Sequence, residues 1–185
     1  MNKSRLLMLV EIAIFAAIGV VLDKISFSIW AQGGSISFVM LPILLMAIRW
    51  GLSAGVITGL LIGIIQIALG GYVLHWVQGF LDYIVAFSVV GFAGIFRTQI
   101  LEAAKNLDKK KISLYIVLGT TMGGLLRYAA HSIAGAVFFK EYAGDQNVWL
   151  YTIIYNGSYM IPAIILTSIV GSLIFTSAPK LLRIN

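Results

Sequence analysis

The fold is decided by residues 73–96, VLHWVQGFLDYIVAFSVVGFAGIF, in which Asp82 is the only charged residue in a helix-length apolar stretch. About 20 apolar residues cross a bilayer as a helix, so the stretch reads as a transmembrane helix with a carboxylate inside it. A charged side chain at that depth costs roughly 2.5–3.5 kcal/mol on insertion scales, and such a residue marks a site rather than a scaffold.

Working outward, comparable apolar runs occupy residues 6–22, 36–48, 52–69, 112–139 and 148–178. Together with 73–96 they predict an all-α integral membrane protein of six transmembrane helices, forming one membrane domain over residues 1–185. The second run is short and is interrupted by Pro42, whereas the last two are long enough to tilt or to extend beyond the hydrocarbon. Composition agrees: 60% of the residues are hydrophobic and 11% charged, too apolar a balance for a soluble core. Residues 1–5 followed by an apolar run have the outline of a signal peptide, but Glu11 and the lack of a small-residue cleavage site oppose it.

Cysteine is absent and there are two histidines, His75 and His131, so thiolate metal sites and disulfides are excluded and no metal centre is expected. The net charge of +6 is not a nucleic-acid signature, because the basic residues sit where apolar segments end. Placing the N-terminus in the cytoplasm puts Lys3, Arg5, Arg49, Arg97, Lys105, Lys109, Lys110, Lys111, Lys180 and Arg183 inside. Only Lys24 and Lys140 then lie outside, with Arg127 within the membrane. Both termini are therefore expected inside, and the loops 23–35, 70–72 and 140–147 outside.

With this orientation Asp82, His131 and Asn156 all lie roughly 9–12 Å below the outer ends of their helices. Their faces carry further polar residues at helical spacing: His75 and Gln78 with Asp82, Arg127 with His131, Thr152 and Tyr159 with Asn156. One shared pocket opening outward is expected, with Asp82 as its only deep carboxylate. The plainer alternative is an Asp82–Arg127 ion pair with His131 and Asn156 as interhelical hydrogen-bond glue. Aromatic residues crowd the same end: Trp30, Tyr72, Trp76, Tyr83, Phe138, Phe139, Tyr142, Trp149, Tyr151 and Tyr155. Part of this is an interfacial belt. Aromatic faces beside a carboxylate also suit a small flat organic cation.

Gly51, Gly55, Gly59 and Gly63 form a stripe at four-residue spacing that lets a neighbouring backbone approach closely. Ala13 and Ala17 make a related stripe on the first helix, suited either to internal packing or to docking another membrane protein. No catalytic constellation emerges: there is no phosphate-binding Gly-rich motif and no paired carboxylate within a helix, which leaves Asp82 and His131 as a minimal proton-transfer pair at most.

Gln32-Gly33-Gly34-Ser35, Arg49-Trp50-Gly51, Leu81-Asp82-Tyr83-Ile84-Val85-Ala86-Phe87, Arg127-Tyr128-Ala129-Ala130-His131 and Tyr155-Asn156-Gly157, in this order, resemble the thiamine-specific substrate-binding (S) components of energy-coupling factor (ECF) transporters. The resemblance spans essentially the whole chain. It implies a subunit that is not an enzyme, needs no cofactor, and captures extracellular thiamine at a bacterial cell membrane. Its implied partners are a transmembrane coupling subunit and two cytosolic ATPases, with no nucleic acid.

The resemblance places the family's ligand carboxylate on Asp82, with Tyr83 beside it, its histidine on His131 and its close-approach glycine on Gly135. Its tyrosine and asparagine fall on Tyr151 and Asn156, and its docking motif on Ala13 and Ala17. Some members carry glutamate at the position of Asp82 and tryptophan at those of Gly33, Ile62 and Phe139. Trp30 and Phe139 are therefore expected to do the stacking here, with Gln78, Tyr72 and Arg127 completing the pocket. The loop Gln32, Gly33, Gly34 and Ser35 is expected to be its lid. Two other readings stay open: a proton-coupled secondary transporter of a small aromatic cation, or an S component for another vitamin or a thiamine precursor.

Overall fold

The computed structural model describes residues 3–29 and 33–182. The described residues form six main helices: α1 (Lys3–Lys24), α2 (Met40–Trp50), α3 (Leu52–Ala68), α4 (Trp76–Lys105), α5 (Lys109–Phe138) and α6 (Val148–Ser177). Four of them, α1, α4, α5 and α6, are long and apolar enough to cross a membrane; α2 and α3 are shorter apolar helices.

The shortest helix lies deepest. Every residue of α2 from Met40 to Ile48 except Leu41 is buried, so this helix is apolar all round and covered by its neighbours rather than by lipid. Its 11 residues span about 16 Å, half a hydrocarbon core. The run 36–48 differs from the sequence expectation at its start. Pro42 does not interrupt the helix but stands in its first turn, where the missing N–H costs nothing. The preceding Ile36 is extended and exchanges two backbone hydrogen bonds with Phe27, drawing the two described ends of the α1–α2 loop, residues 25–29 and 33–39, together as a strap.

The glycine stripe of α3 does what its spacing implied, with one exception. A Cβ on Gly59 would strike the Phe87 carbonyl, one on Gly63 the Tyr83 carbonyl, and one on Gly55 would lie 3.0 Å from Gly91 Cα, so the α3 and α4 backbones touch. Gly51 is not part of this seam. Its φ of 103° and ψ of 173° belong to glycine alone, and it makes the tight turn between α2 and α3.

On α1 the buried positions are Ile12, Ala16, Gly19 and Val20, while Leu6, Leu7, Val10, Ile14, Ile18 and Val21 are exposed apolar side chains. Ala13 and Ala17 lie on this exposed side, so the stripe is not an internal packing seam. At the Arg-rich end of the bundle, Arg49 holds Glu11 through Nε (2.7 Å) and Nη2 (2.9 Å), and the Trp50 indole N–H donates to the same carboxylate at 2.6 Å. Arg49 Nη1 also donates to the Leu181 carbonyl (3.0 Å), tying α1, α2 and the C-terminal turn together.

Candidate functional site

The site grows from an irregularity in α4. Residues Phe80–Val85 adopt a wide π-helical turn, and Val89–Phe96 a tight 3-10 geometry, within one continuous span. Such turns release a backbone from its regular register and recur at functional sites. Asp82 sits in this π turn, and the neighbouring Tyr83 and Phe87 backbones are those clamped by Gly63 and Gly59 of α3.

Asp82 Oδ2 accepts from Gln78 Nε2 at 2.7 Å, and its Oδ1 lies 2.8 Å from His131 Nδ1 on α5. The Gln78 amide is oriented by its other partners. Its Oε1 accepts from the Leu74 N–H (2.9 Å) and its Nε2 also donates to the Tyr72 carbonyl (3.2 Å), so the NH2 group must face Asp82. Arg127, one turn before His131, donates from Nε to His131 Nε2 at 3.3 Å, and its guanidinium lies 4.3 Å over the Phe87 ring. Among the described residues no carboxylate comes within ion-pair distance of Arg127, so the Asp82–Arg127 pair of the plainer alternative does not form; the histidine stands between them.

Across the pocket, Asn156 on α6 donates to Thr152 Oγ1 (2.9 Å) and to the His131 carbonyl (3.4 Å), and the Tyr159 hydroxyl donates to its Oδ1. Asn156 thus joins α5 to α6 as well as facing the cavity. Gly135 is a close-approach position, since a Cβ there would collide with Thr152 Oγ1 and meet Asn156 Nδ2.

Aromatic faces complete the walls. Tyr72 stacks on Phe139 at 6.2 Å between centroids, Tyr151 on Tyr155 at 5.8 Å, and Tyr155 meets Tyr159 edge-on. The Tyr72 hydroxyl, hydrogen-bonded with Tyr142, is pushed above its usual pKa.

The described part of the α1–α2 strap lines this cavity through Gly33, Gly34 and Ser35. Gly33 and Gly34 take φ values of 88° and 103°, which favour glycine, and Gly34 packs against the Tyr159 ring. The Tyr155 hydroxyl donates to the Gly33 carbonyl (2.9 Å) and Ser28 Oγ to that of Gly34 (2.9 Å). At the strap's base the Ser37 hydroxyl donates to Asp23 at 2.9 Å.

One cavity gathers Asp82, Tyr83, Gln78, His131, Gly135, Arg127, Tyr151, Asn156, Tyr72, Phe139 and the strap residues Gly33, Gly34 and Ser35. Trp30 and Gln32 lie outside the described residues. His75 is not in the wall: α4 begins at Trp76, and His75 precedes it as an exposed N-cap stacked on Phe138. Trp76 and Trp149 are 76% and 54% exposed and do not line the cavity, so they belong to the belt.

Asp23, Gln66, Phe87, Thr152, Tyr155 and Tyr159 also line it. Of these only Asp23 changes the electrostatics, since it makes Asp82 one of two carboxylates in the pocket. At the end of α1 beside Lys24 it reads as a loop residue; only its place on the same side as the pocket could have flagged it.

The sequence profile described as "Thiamine transporter protein" matches residues 9–183. The chain is 47% identical to the thiamine transporter ThiT of Bacillus subtilis over 99% of its own length and 98% of that protein's. It is 34% identical to ThiT of Lacticaseibacillus paracasei, covering 97% of this chain and 92% of that one. Its fold matches a solved structure of ThiT from Listeria monocytogenes with a TM-score of 0.92 at 34% identity, over 99% of this chain and 100% of the other. The fold is also shared, at a TM-score of 0.57 and 20% identity over 98% and 99% of the two chains, with the S component of a bacterial ECF transporter.

Proposed function

This chain belongs to the thiamine transporter family, and from that premise we propose that it is the thiamine-binding subunit of an ECF transporter in a bacterial cell membrane. The observation that carries the reading is the carboxylate of Asp82, held in the wall of an aromatic cavity by two partners that are not permanent cations. Thiamine is a cation of two flat rings joined by a methylene, a charged thiazolium and a hydrogen-bonding aminopyrimidine. Its charge suits Asp82 and Asp23, its rings suit the faces of Tyr72, Phe139, Tyr151 and Tyr155, and its polar edge suits the amides and hydroxyls between them. The strap over Gly33–Ser35 covers the bound vitamin and lifts to admit it. No covalent step is required of this subunit.

The Lys and Arg asymmetry supports an outward-facing pocket with both termini in the cytoplasm. Ala13 and Ala17 lie on the exposed side of α1, toward the opposite end from the pocket, where small side chains permit the close helix approach that a transmembrane coupling subunit needs. Energy for inward release comes from partner ATPases.

Calorimetric titration of the purified chain tests the ligand. Saturable 1:1 binding of thiamine, without competition by riboflavin or biotin and with the vitamin recovered unchanged, is expected; no saturable heat would contradict the assignment. Calorimetry needs no tryptophan at the site, and Trp76 and Trp149 do not line the cavity. For docking, Ala13→Leu or Ala17→Trp should leave thiamine binding intact and abolish ATP-driven uptake. Unimpaired uptake would remove the stripe from the mechanism.

A further inference from the structure

Arg127 is a buried guanidinium inside a cavity read as a site for a cation, an arrangement that works against binding unless the arginine acts through a neighbour. Its hydrogen bond to His131 supplies that action. Three proton arrangements could join Asp82 to the imidazole. In the first, the ring is an imidazolium with protons on both nitrogens. In the second, Asp82 is protonated and donates to Nδ1, so the neutral ring carries its proton on Nε2. In the third, the neutral ring carries its proton on Nδ1 and donates to an ionised Asp82.

The first two place an N–H on Nε2, directly facing the Nε–H of Arg127 at 3.3 Å, donor against donor. The third leaves an Nε2 lone pair for Arg127 and directs the Nδ1–H to Asp82 Oδ1 at 2.8 Å. We propose that Arg127 is a positioning residue which, by occupying His131 Nε2, holds the imidazole as its neutral Nδ1–H tautomer and so keeps Asp82 an anion without a cationic partner.

The consequence is a charge count. The groups facing His131 are Arg127 on its own helix, Asp82 from α4, Asp23 across the cavity from α1, and Tyr159 from α6, edge-on at 6.1 Å, with Tyr155 beyond it. With His131 neutral and the tyrosines un-ionised, two carboxylates face one guanidinium, leaving one negative charge for a monovalent cation. A protonated His131 would cancel it. This consequence rests on the reading of the pocket as a thiamine site; the tautomer itself does not.

Nitrogen NMR of histidine-labelled full-length protein tests the proposal directly. The chain has two histidines, and His75→Asn removes the exposed one for assignment. The expected spectrum of ligand-free protein has His131 protonated on Nδ1 and bare on Nε2. Arg127→Lys, which keeps a cationic donor, should preserve that pattern and most of the thiamine affinity. Arg127→Met should let Nε2 acquire a proton. The pocket's net charge is then unchanged, but the imidazolium stands 2.8 Å from Asp82 as a cationic partner, so thiamine binding should weaken roughly 10- to 100-fold.

A protonated Nε2 in the unmodified protein, an unchanged tautomer in Arg127→Met, or tighter thiamine binding by that variant would each overturn the proposal. If Arg127→Met does not fold, the spectrum of the unmodified protein decides alone. An Nδ1–H ring in a protein that gives no heat with thiamine would contradict the ligand and leave the positioning role standing.

Discussion

Each end of the bundle holds a carboxylate beside basic and aromatic side chains, but one cluster is closed and the other open. Glu11 takes two hydrogen bonds from one guanidinium and a third from the Trp50 indole. Its charge is neutralised in place, and its partners bind α1 to α2. Asp82 takes one contact on each oxygen, from an amide and an imidazole, and its remaining lone pairs face a cavity. A buried carboxylate neutralised by a bidentate arginine is scaffold; one held in place without a permanent counter-cation is poised for a ligand that brings the charge.

The largest effect separating the two clusters should come from the closed one. Arg49→Leu leaves the half-buried Glu11 beside an apolar side chain and should destabilise the fold by roughly 2–3 kcal/mol, at or below the low end for broken buried pairs because both groups are partly exposed. Thermal unfolding should show this, while the protein that remains folded binds thiamine with unchanged affinity. A large affinity loss there would dissolve the distinction.

In the open cluster, Gln78→Leu should cost roughly tenfold in affinity, since it frees Asp82 Oδ2 and detaches the Tyr72–Leu74 backbone from α4. Tyr155→Phe removes the strap's hydrogen bond to the Gly33 carbonyl and should raise the thiamine dissociation rate a few-fold, about 1 kcal/mol or less, with little change in association. Trp76→Phe and Trp149→Phe should change affinity by less than about twofold; a larger change would bring the belt into the site.

The sequence exposed these clusters unequally, for physical reasons. Hydropathy made all six helices visible, because lipid demands the long apolar runs of α1, α4, α5 and α6, the shorter α2 and α3 are apolar too, and loops collect the charges. Asp82, His131 and Asn156 stood out because a polar group inside such a run has a cost that needs a reason. The π turn at Phe80–Val85, which lies where Gly63 of α3 meets the Tyr83 backbone, was invisible because neither hydropathy nor polar spacing marks such a turn; with α4 starting at Trp76, His75 falls outside the wall. Asp23 was hidden because a carboxylate at a helix end looks solvated until a strap folds over it. Gly51 looked like a fourth member of its stripe because spacing does not reveal φ.

The contrast between the clusters is tested most directly by measuring thiamine affinity and thermal unfolding on one preparation of Asp82→Asn, a change that keeps the side chain's shape and removes its charge. A charge-assisted contact is worth about 1.5–3 kcal/mol, so affinity should fall roughly 10- to 150-fold while the unfolding midpoint stays near that of the unmodified protein. Thiamine affinity equal to that of the unmodified protein would contradict the assignment of Asp82 as the ligand's counter-charge.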